Sequence, residues 1–394
     1  MSSFVDDAKG FEGKIIGIRR TLHQNPELSF KEEKTARLVT ETLRSLGIAV
    51  RTNVGGKGVV GLLEGAHQGH VVGLRADMDA LPLDETSGVD FESRKRGVMH
   101  ACGHDAHVAM LLGAAMVLAK HRKKLQGAVK FLFQPAEEAG DLGGGAQPMI
   151  DDGALENPKV EYVFGLHIFA NYPSATFAIR EGAIMASSGT FKIRISGPGG
   201  HGSAPHQTID PVYAAAQVIT NIQAVSSRMI DPVEPFVVSV CSIHSGTKSN
   251  IIPTEAVLEG TFRTVSESTN RRAKTLISGI AKDVSKAFGA RCEVAIVDSN
   301  PITVNNSSVT RKASGILRTI PGTRTVEIPP ILAAEDFSKF LQRVPGSYYF
   351  LGTRNKAKGC VYPNHSAKFK VDEDVLKYGS ASLAMLAIEF ASQD

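Results

Sequence analysis

The chain of 394 residues lacks any apolar run approaching the roughly 20 residues that span a bilayer, so a membrane is not expected as a partner. Its first residues, "MSSFVDDAKGFEGKII", are acidic and polar where a secretory signal would be basic and then apolar, so none is expected. Cysteine is scarce. Cys102, Cys241, Cys292 and Cys360 are scattered and form no CxxC, which argues against a disulfide framework and for a reducing, cytoplasmic setting. An excess of one charge is also missing. The 44 basic and 40 acidic residues leave a net charge of +4, with no long run of either sign. Nucleic acid is therefore not implied as a partner. No internal repeat or low-complexity segment is present.

What the chain does have is the composition of a folded protein, 42% apolar and 21% charged, at a length too great for one ordinary core. Residues 8–23 and 31–46 carry apolar positions at helical spacing, with Pro26 between them. Apolar, β-branched runs follow: "GVVGLLEG", "HVVGLRADMDALP", "AVKFLFQPAEE" and "VEYVFGLHIF". The helical stretch "AHVAMLLGAAMVLAKHR" separates the second run from the third. Strands alternating with helices predict an α/β domain with a mixed, largely parallel sheet and flanking helices. Near residue 187 the texture changes to strand, helix, strand, strand, helix, strand, the β-α-β-β-α-β order of a ferredoxin-like sandwich. The C-terminal part returns to mixed α/β and ends in the helix "DVLKYGSASLAMLAIEFAS". The expected architecture is a catalytic domain of residues 1–186 and 298–394 with a smaller domain, 187–297, inserted in it.

Ligands of open α/β sheets bind outside the carboxyl ends of the strands, and the unusual polar residues fall there. "VVGLRADMD" ends on Asp77 and Asp79, "VKFLFQPAEE" on Glu137 and Glu138, and "YVFGLHIF" carries His167. Cys102 and His104 open the long helix, whose positive end is expected to favour a thiolate. Taken alone, Cys102 is as readily a small core residue and His104 a satisfied loop histidine. His100 and His107 are assigned structural or supporting places. Adjacent carboxylates repel, so Glu137 and Glu138 are either a solvated loop pair or hold a cation on one, which would leave the other as a general base. His365, in "VYPNHSAKF", lies in a loop before the last helix. Cys102, His104, Glu138, His167 and His365 form a sulfur, nitrogen and oxygen set that suits Zn²⁺, Mn²⁺ or Co²⁺ over Mg²⁺ or Ca²⁺. Five donors exceed one tetrahedral site, and two cations sharing a bridging group account for them.

"MHACGHDAH", "QPAEE", "GLH", "GPGGHGSAPH", "SNIIP" and "AAEDF" resemble, in this order, the amidohydrolase branch of the di-metal aminoacylase and carboxypeptidase superfamily. That branch contains hippurate hydrolases, N-acyl-amino-acid amidohydrolases and auxin-conjugate hydrolases. "RRTLHQNPELSF" and "RADMDALP" are similar to it as well, so the resemblance covers nearly the whole chain. It implies a zinc-exopeptidase-like catalytic domain and a binuclear centre on Cys102, His104, Glu138, His167 and His365, with Cys102 standing near the bridging position. It implies Glu137 as general base and Asp79 as a residue orienting a ligand. The inserted domain would be a lid and dimerisation domain, forming a homodimer or higher homo-oligomer. His201 and Asn250 would reach the substrate from the partner's lid, His206 being the lesser choice. Arg263 suits a substrate carboxylate through its guanidinium fork. The implied reaction is metal-dependent hydrolysis of N-acyl amino acids or related conjugates, releasing a carboxylic acid and a free amino acid. A carboxypeptidase or dipeptidase acting on short peptides is the alternative. The metal, Mn, Zn or Co, stays open, as does the acyl group.

Overall fold

The computed structural model describes residues 2–392. The chain forms two compact units. The first comprises residues 1–182, 304–329 and 336–394, and the second 183–303 and 330–335.

The first unit is built on an eight-stranded sheet. Its order is Ala49–Val54, Gly58–Glu64, Gln126–Gln134, His67–Asp77, Tyr162–Pro173, Gly346–Arg354, Thr176–Ile179, Arg324–Glu327. Four neighbouring pairs are parallel and three antiparallel. The four central strands run the same way, so their carboxyl ends share one edge. Register sets what stands there. Asp77 pairs with Gln134, and Arg75 with Gly165, which brings His167 level with Asp77. The acids and imidazoles of three separated segments thereby reach one edge.

The helix His104–Lys120 is apolar around almost its whole circumference, and its residues from His104 to Leu118 are all buried. A helix hydrophobic all round belongs inside a fold. It packs against the C-terminal helix Leu376–Ala391 and the helix Glu12–Gln24, and Ser380 Oγ donates to the Met110 carbonyl at 2.9 Å. Residues 8–23, expected as one helix, are two. The chain breaks at Phe11 between Ser2–Gly10 and Glu12–Gln24. The apolar period runs through the break because both pieces bury the same face, with Val5, Ala8, Ile15 and Leu22 in the core.

The second unit is a four-stranded antiparallel sheet ordered Phe236–Ser245, Glu255–Thr264, Ser187–Ser196, Arg291–Asn300. Phe191, Ile193 and Ile195 face a core shared with the helices Pro211–Ala224 and Glu267–Ala287. Lys192 and Arg194, alternating with them, pair across the strand with Glu259 and Glu255. The helices start where their caps dictate. Asp210 accepts from Val212 N before Pro211 at the first position, and Ser266 accepts from Thr269 N. No helix among the described residues is long and apolar enough to cross a membrane.

Candidate metal centre

The turn from Cys102 into the long helix depends on Gly103, whose φ is +93°. A β-carbon there would stand 2.3 Å from Ile168 Cδ1 and 2.7 Å from Ile168 Cγ1. The close approach seats Cys102 against the strand that carries His167, and Cys102 Sγ lies 3.4 Å from His167 Nε2. The 364–365 loop closes the far side. Asn364 Nδ2 donates to the carbonyls of Cys102 (2.9 Å) and Ile168 (3.2 Å), and its Oδ1 accepts from Ala170 N. His365, at φ +68°, donates its backbone N–H to Ala101 and places Nε2 3.3 Å from both Cys102 Sγ and Glu138 Oε1.

Among the groups whose donor atoms lie within 4.8 Å of one another are Cys102, His104, His167; Cys102, Glu138, His365; His104, Glu137, Glu138; and Asp77, His104, His107. Cys102 is common to the first two. The tautomers follow from the bonds on the other ring nitrogen. His167 Nδ1 donates to the Ile168 carbonyl at 2.6 Å, and His104 Nδ1 donates to the Asp79 carbonyl at 2.9 Å and to Asp79 Oδ1 at 3.2 Å. Each ring thereby turns its Nε2 toward the cluster, the usual arrangement behind a metal-binding imidazole. His104 Nε2 and Glu138 Oε1 are buried without a hydrogen-bond partner and lie 3.9 Å apart. Two orphaned buried atoms of this kind fit a divalent cation.

The field is strongly acidic. Burial alone would keep the His104 ring neutral, but Asp77, Asp79 and Glu138 raise its pKa to about 10. Burial and the neighbouring His107 ring hold His167 well below the usual imidazole range. Without a cation, burial, with Glu138, Glu137 and Asp77 adding to it, pushes the Cys102 thiol well above its ordinary value. Desolvation and nearby carboxylates outweigh the helix end, so without a cation the sulfur keeps its proton.

Asp79 is fully buried and organises the turn that carries Glu137. Its Oδ1 accepts from Glu137 N (3.1 Å), and its Oδ2 from Glu138 N (3.0 Å) and Ser29 Oγ (2.7 Å). Glu137 itself is half-buried beside His104 and Glu138. His107 is committed elsewhere, donating to Asp77 Oδ1 at 2.6 Å and accepting from Ile168 N at 2.8 Å. His100 joins none of these groups. It is buried, and desolvation lowers it to about 4. Sequence reasoning gave no role to Arg75, which donates to Asp77 (2.7 Å), Gln134 (2.9 Å) and Asp336 (2.9 Å) in a wholly buried network. An arginine inside an otherwise apolar strand, "VVGLRAD", was the available signal.

His201, Asn250 and Arg263 belong to the second unit. His201 pairs with Ile251 in a two-stranded ribbon, and Gly202 N donates to the Asn250 carbonyl at 2.9 Å, so His201 and Asn250, both exposed, lie on facing segments of the ribbon. Arg263 is half-buried on its strand, and desolvation lowers its pKa.

Comparison with known proteins gives consistent matches. The profile described as peptidase family M20/M25/M40 matches residues 73–389. Thermostable carboxypeptidase 2 of Saccharolobus solfataricus is 53% identical over 390 residues, 98% of each chain. An IAA-amino acid hydrolase, ILR1-like 4 of Arabidopsis thaliana, is 38% identical over 381 residues, covering 95% of this chain and 85% of its own. Among solved structures, a dinuclear metal-binding peptidase from Bacillus subtilis superposes with a TM-score of 0.84 at 32% identity, over 97% of this chain and 99% of that one.

Proposed function

The chain belongs to peptidase family M20/M25/M40 and is a metal-dependent hydrolase; from that premise we propose that it cleaves the amide bond of N-acyl amino acids or related amino-acid conjugates, releasing a carboxylic acid and a free amino acid. The observation that carries this reading is the convergence of Cys102, His104, Glu138, His167 and His365, with two buried donor atoms, His104 Nε2 and Glu138 Oε1, that make no hydrogen bond. Cys102, His104, Glu138, His167 and His365 would hold the two divalent cations. Mn²⁺, Zn²⁺ and Co²⁺ suit this donor set. When bound, the pair supplies Lewis acidity and neutralises the local carboxylate charge.

The chain's own residues do the rest. Glu137 takes a proton from the attacking water and returns it to the departing amine. Asp79 fixes both the His104 ring and the backbone of Glu137. The second unit serves as a lid and dimerisation domain. From it the partner copy's His201 and Asn250 meet the substrate, His201 donating to the carbonyl oxygen as charge develops there. Arg263 holds a substrate carboxylate.

Carboxypeptidase action on short peptides is a second reading, favoured by the 53% identity to a thermostable carboxypeptidase. Stripped enzyme reloaded with each metal and offered N-acetyl and N-benzoyl amino acids beside peptides with free amines separates the two. Faster turnover of the acylated substrates supports the first reading, and faster release from peptides the second. Glu137→Gln is expected to lose about 10² to 10⁴ in kcat while keeping its metal. A parent rate in that variant means the base is another residue.

A further inference from the structure

The segment "NPELSFKEE", residues 25–33, has no part in the reading above, yet it reaches the turn that carries Glu137. Ala80 N donates to the Glu27 carbonyl at 2.8 Å, and Ser29 binds Asp79. Glu32 is fully buried. Its Oε1 accepts the N–H of Phe30 at 3.0 Å and that of Ala136 at 2.8 Å. Phe30 and Ala136 are both non-glycine residues in the left-handed region, at φ +67° and +54°. Such backbone is costly and persists where its surroundings over-determine it. The next two amides, of Glu137 and Glu138, go to Asp79. Three successive N–H groups of the turn are therefore held by two carboxylates from distant parts of the chain.

We propose that Glu32 is a positioning residue for the hydrolysis: by pinning Ala136 in its left-handed conformation it sets the direction in which Glu137 leaves the turn. This rests on Glu137 being the base. The turn uses an acceptor atom and not a charge, since both bonds fall on Oε1 while Oε2 is buried without a partner. Burial, with Asp79 adding to it, raises the Glu32 pKa to about 7, so a neutral side chain is tolerated there. Glutamine keeps the accepting oxygen. Methionine fills nearly the same space and offers no comparable acceptor.

The test compares Glu32→Gln and Glu32→Met in the metal-loaded enzyme, reading kcat, KM, metal content and unfolding midpoint, with Glu137→Gln alongside. The Met variant is expected to lose about 10- to 100-fold in kcat, with KM within about twofold and full metal content, while the Gln variant stays within about threefold of the parent. A Met variant at parent kcat, or a Gln variant that falls as far as Met, overturns the proposal. Should the Met variant not fold, Glu32→Ala replaces it under the same two criteria. An inactive Glu137→Gln beside a fully active Glu32→Met refutes the role of Glu32 alone. An active Glu137→Gln refutes the base assignment on which it rests.

Discussion

Replacing Gly103 by alanine places one methyl group at a close backbone approach in the candidate centre. At φ +93° an L side chain strains the backbone, by about 1–2 kcal/mol. The new β-carbon would lie 2.3 Å from Ile168 Cδ1 and 2.7 Å from Ile168 Cγ1. Ile168 is fully buried, with Phe369 Cε1 also 3.5 Å from that β-carbon, so it has no solvent to swing into. Overpacking of this kind adds about 1–3 kcal/mol. Gly103→Ala is therefore expected to destabilise the first unit by about 2–5 kcal/mol, read as a lower denaturant midpoint in metal-stripped protein, where lost metal cannot contribute. The two terms separate in a double-mutant cycle. Adding Ile168→Val removes Cδ1 and recovers part of the packing term while the backbone term stays. Unfolding curves of Gly103→Ala that coincide with the parent's would refute the reasoning, as would strictly additive effects of the two substitutions.

Asp79→Ala removes the acceptor shared by His104, Ser29 and the amides of Glu137 and Glu138. Metal affinity should fall by about 10- to 100-fold in competition with a chelator, and an unchanged affinity would remove Asp79 from that role. Metal uptake by stripped protein near pH 7 should release protons, because His104, raised to about 10, and the Cys102 thiol, raised well above its usual range, both hold one until a cation arrives. Affinity should accordingly rise with pH through the neutral range. Titration calorimetry in two buffers of different ionisation enthalpy reads the release, and equal apparent enthalpies would contradict it.

Much of the fold is legible because burial imposes a period. Phe191, Ile193 and Ile195 alternate with Lys192 and Arg194 as a sheet with one wet face requires, and the strand and helix order around them specifies the sandwich. The parallel core is legible because "VVGL", "FLF" and "YVFGL" are apolar runs that end abruptly in acids or histidine, so the polar residues must lie at one edge. What the sequence hides is everything fixed by partners far along the chain. Arg75 in a strand is intelligible only beside Asp336, and Lys130 only beside the carbonyls of Ala154 and Glu156. Glu32 sits in an unremarkable polar stretch, and nothing local signals that its oxygen holds a turn 104 residues away. The break at Phe11 leaves no mark because both helices bury one continuous stripe.

The proposed chemistry needs two divalent cations lodged among Cys102, His104, Glu138, His167 and His365. Anomalous diffraction from crystals of the stripped protein soaked in Zn²⁺ or Mn²⁺ tests it most directly. Two peaks are expected, both within about 2.0–2.4 Å of these side chains, with Cys102 touching both. A single peak at Asp77 and His107, or none at any soaking concentration, would contradict it.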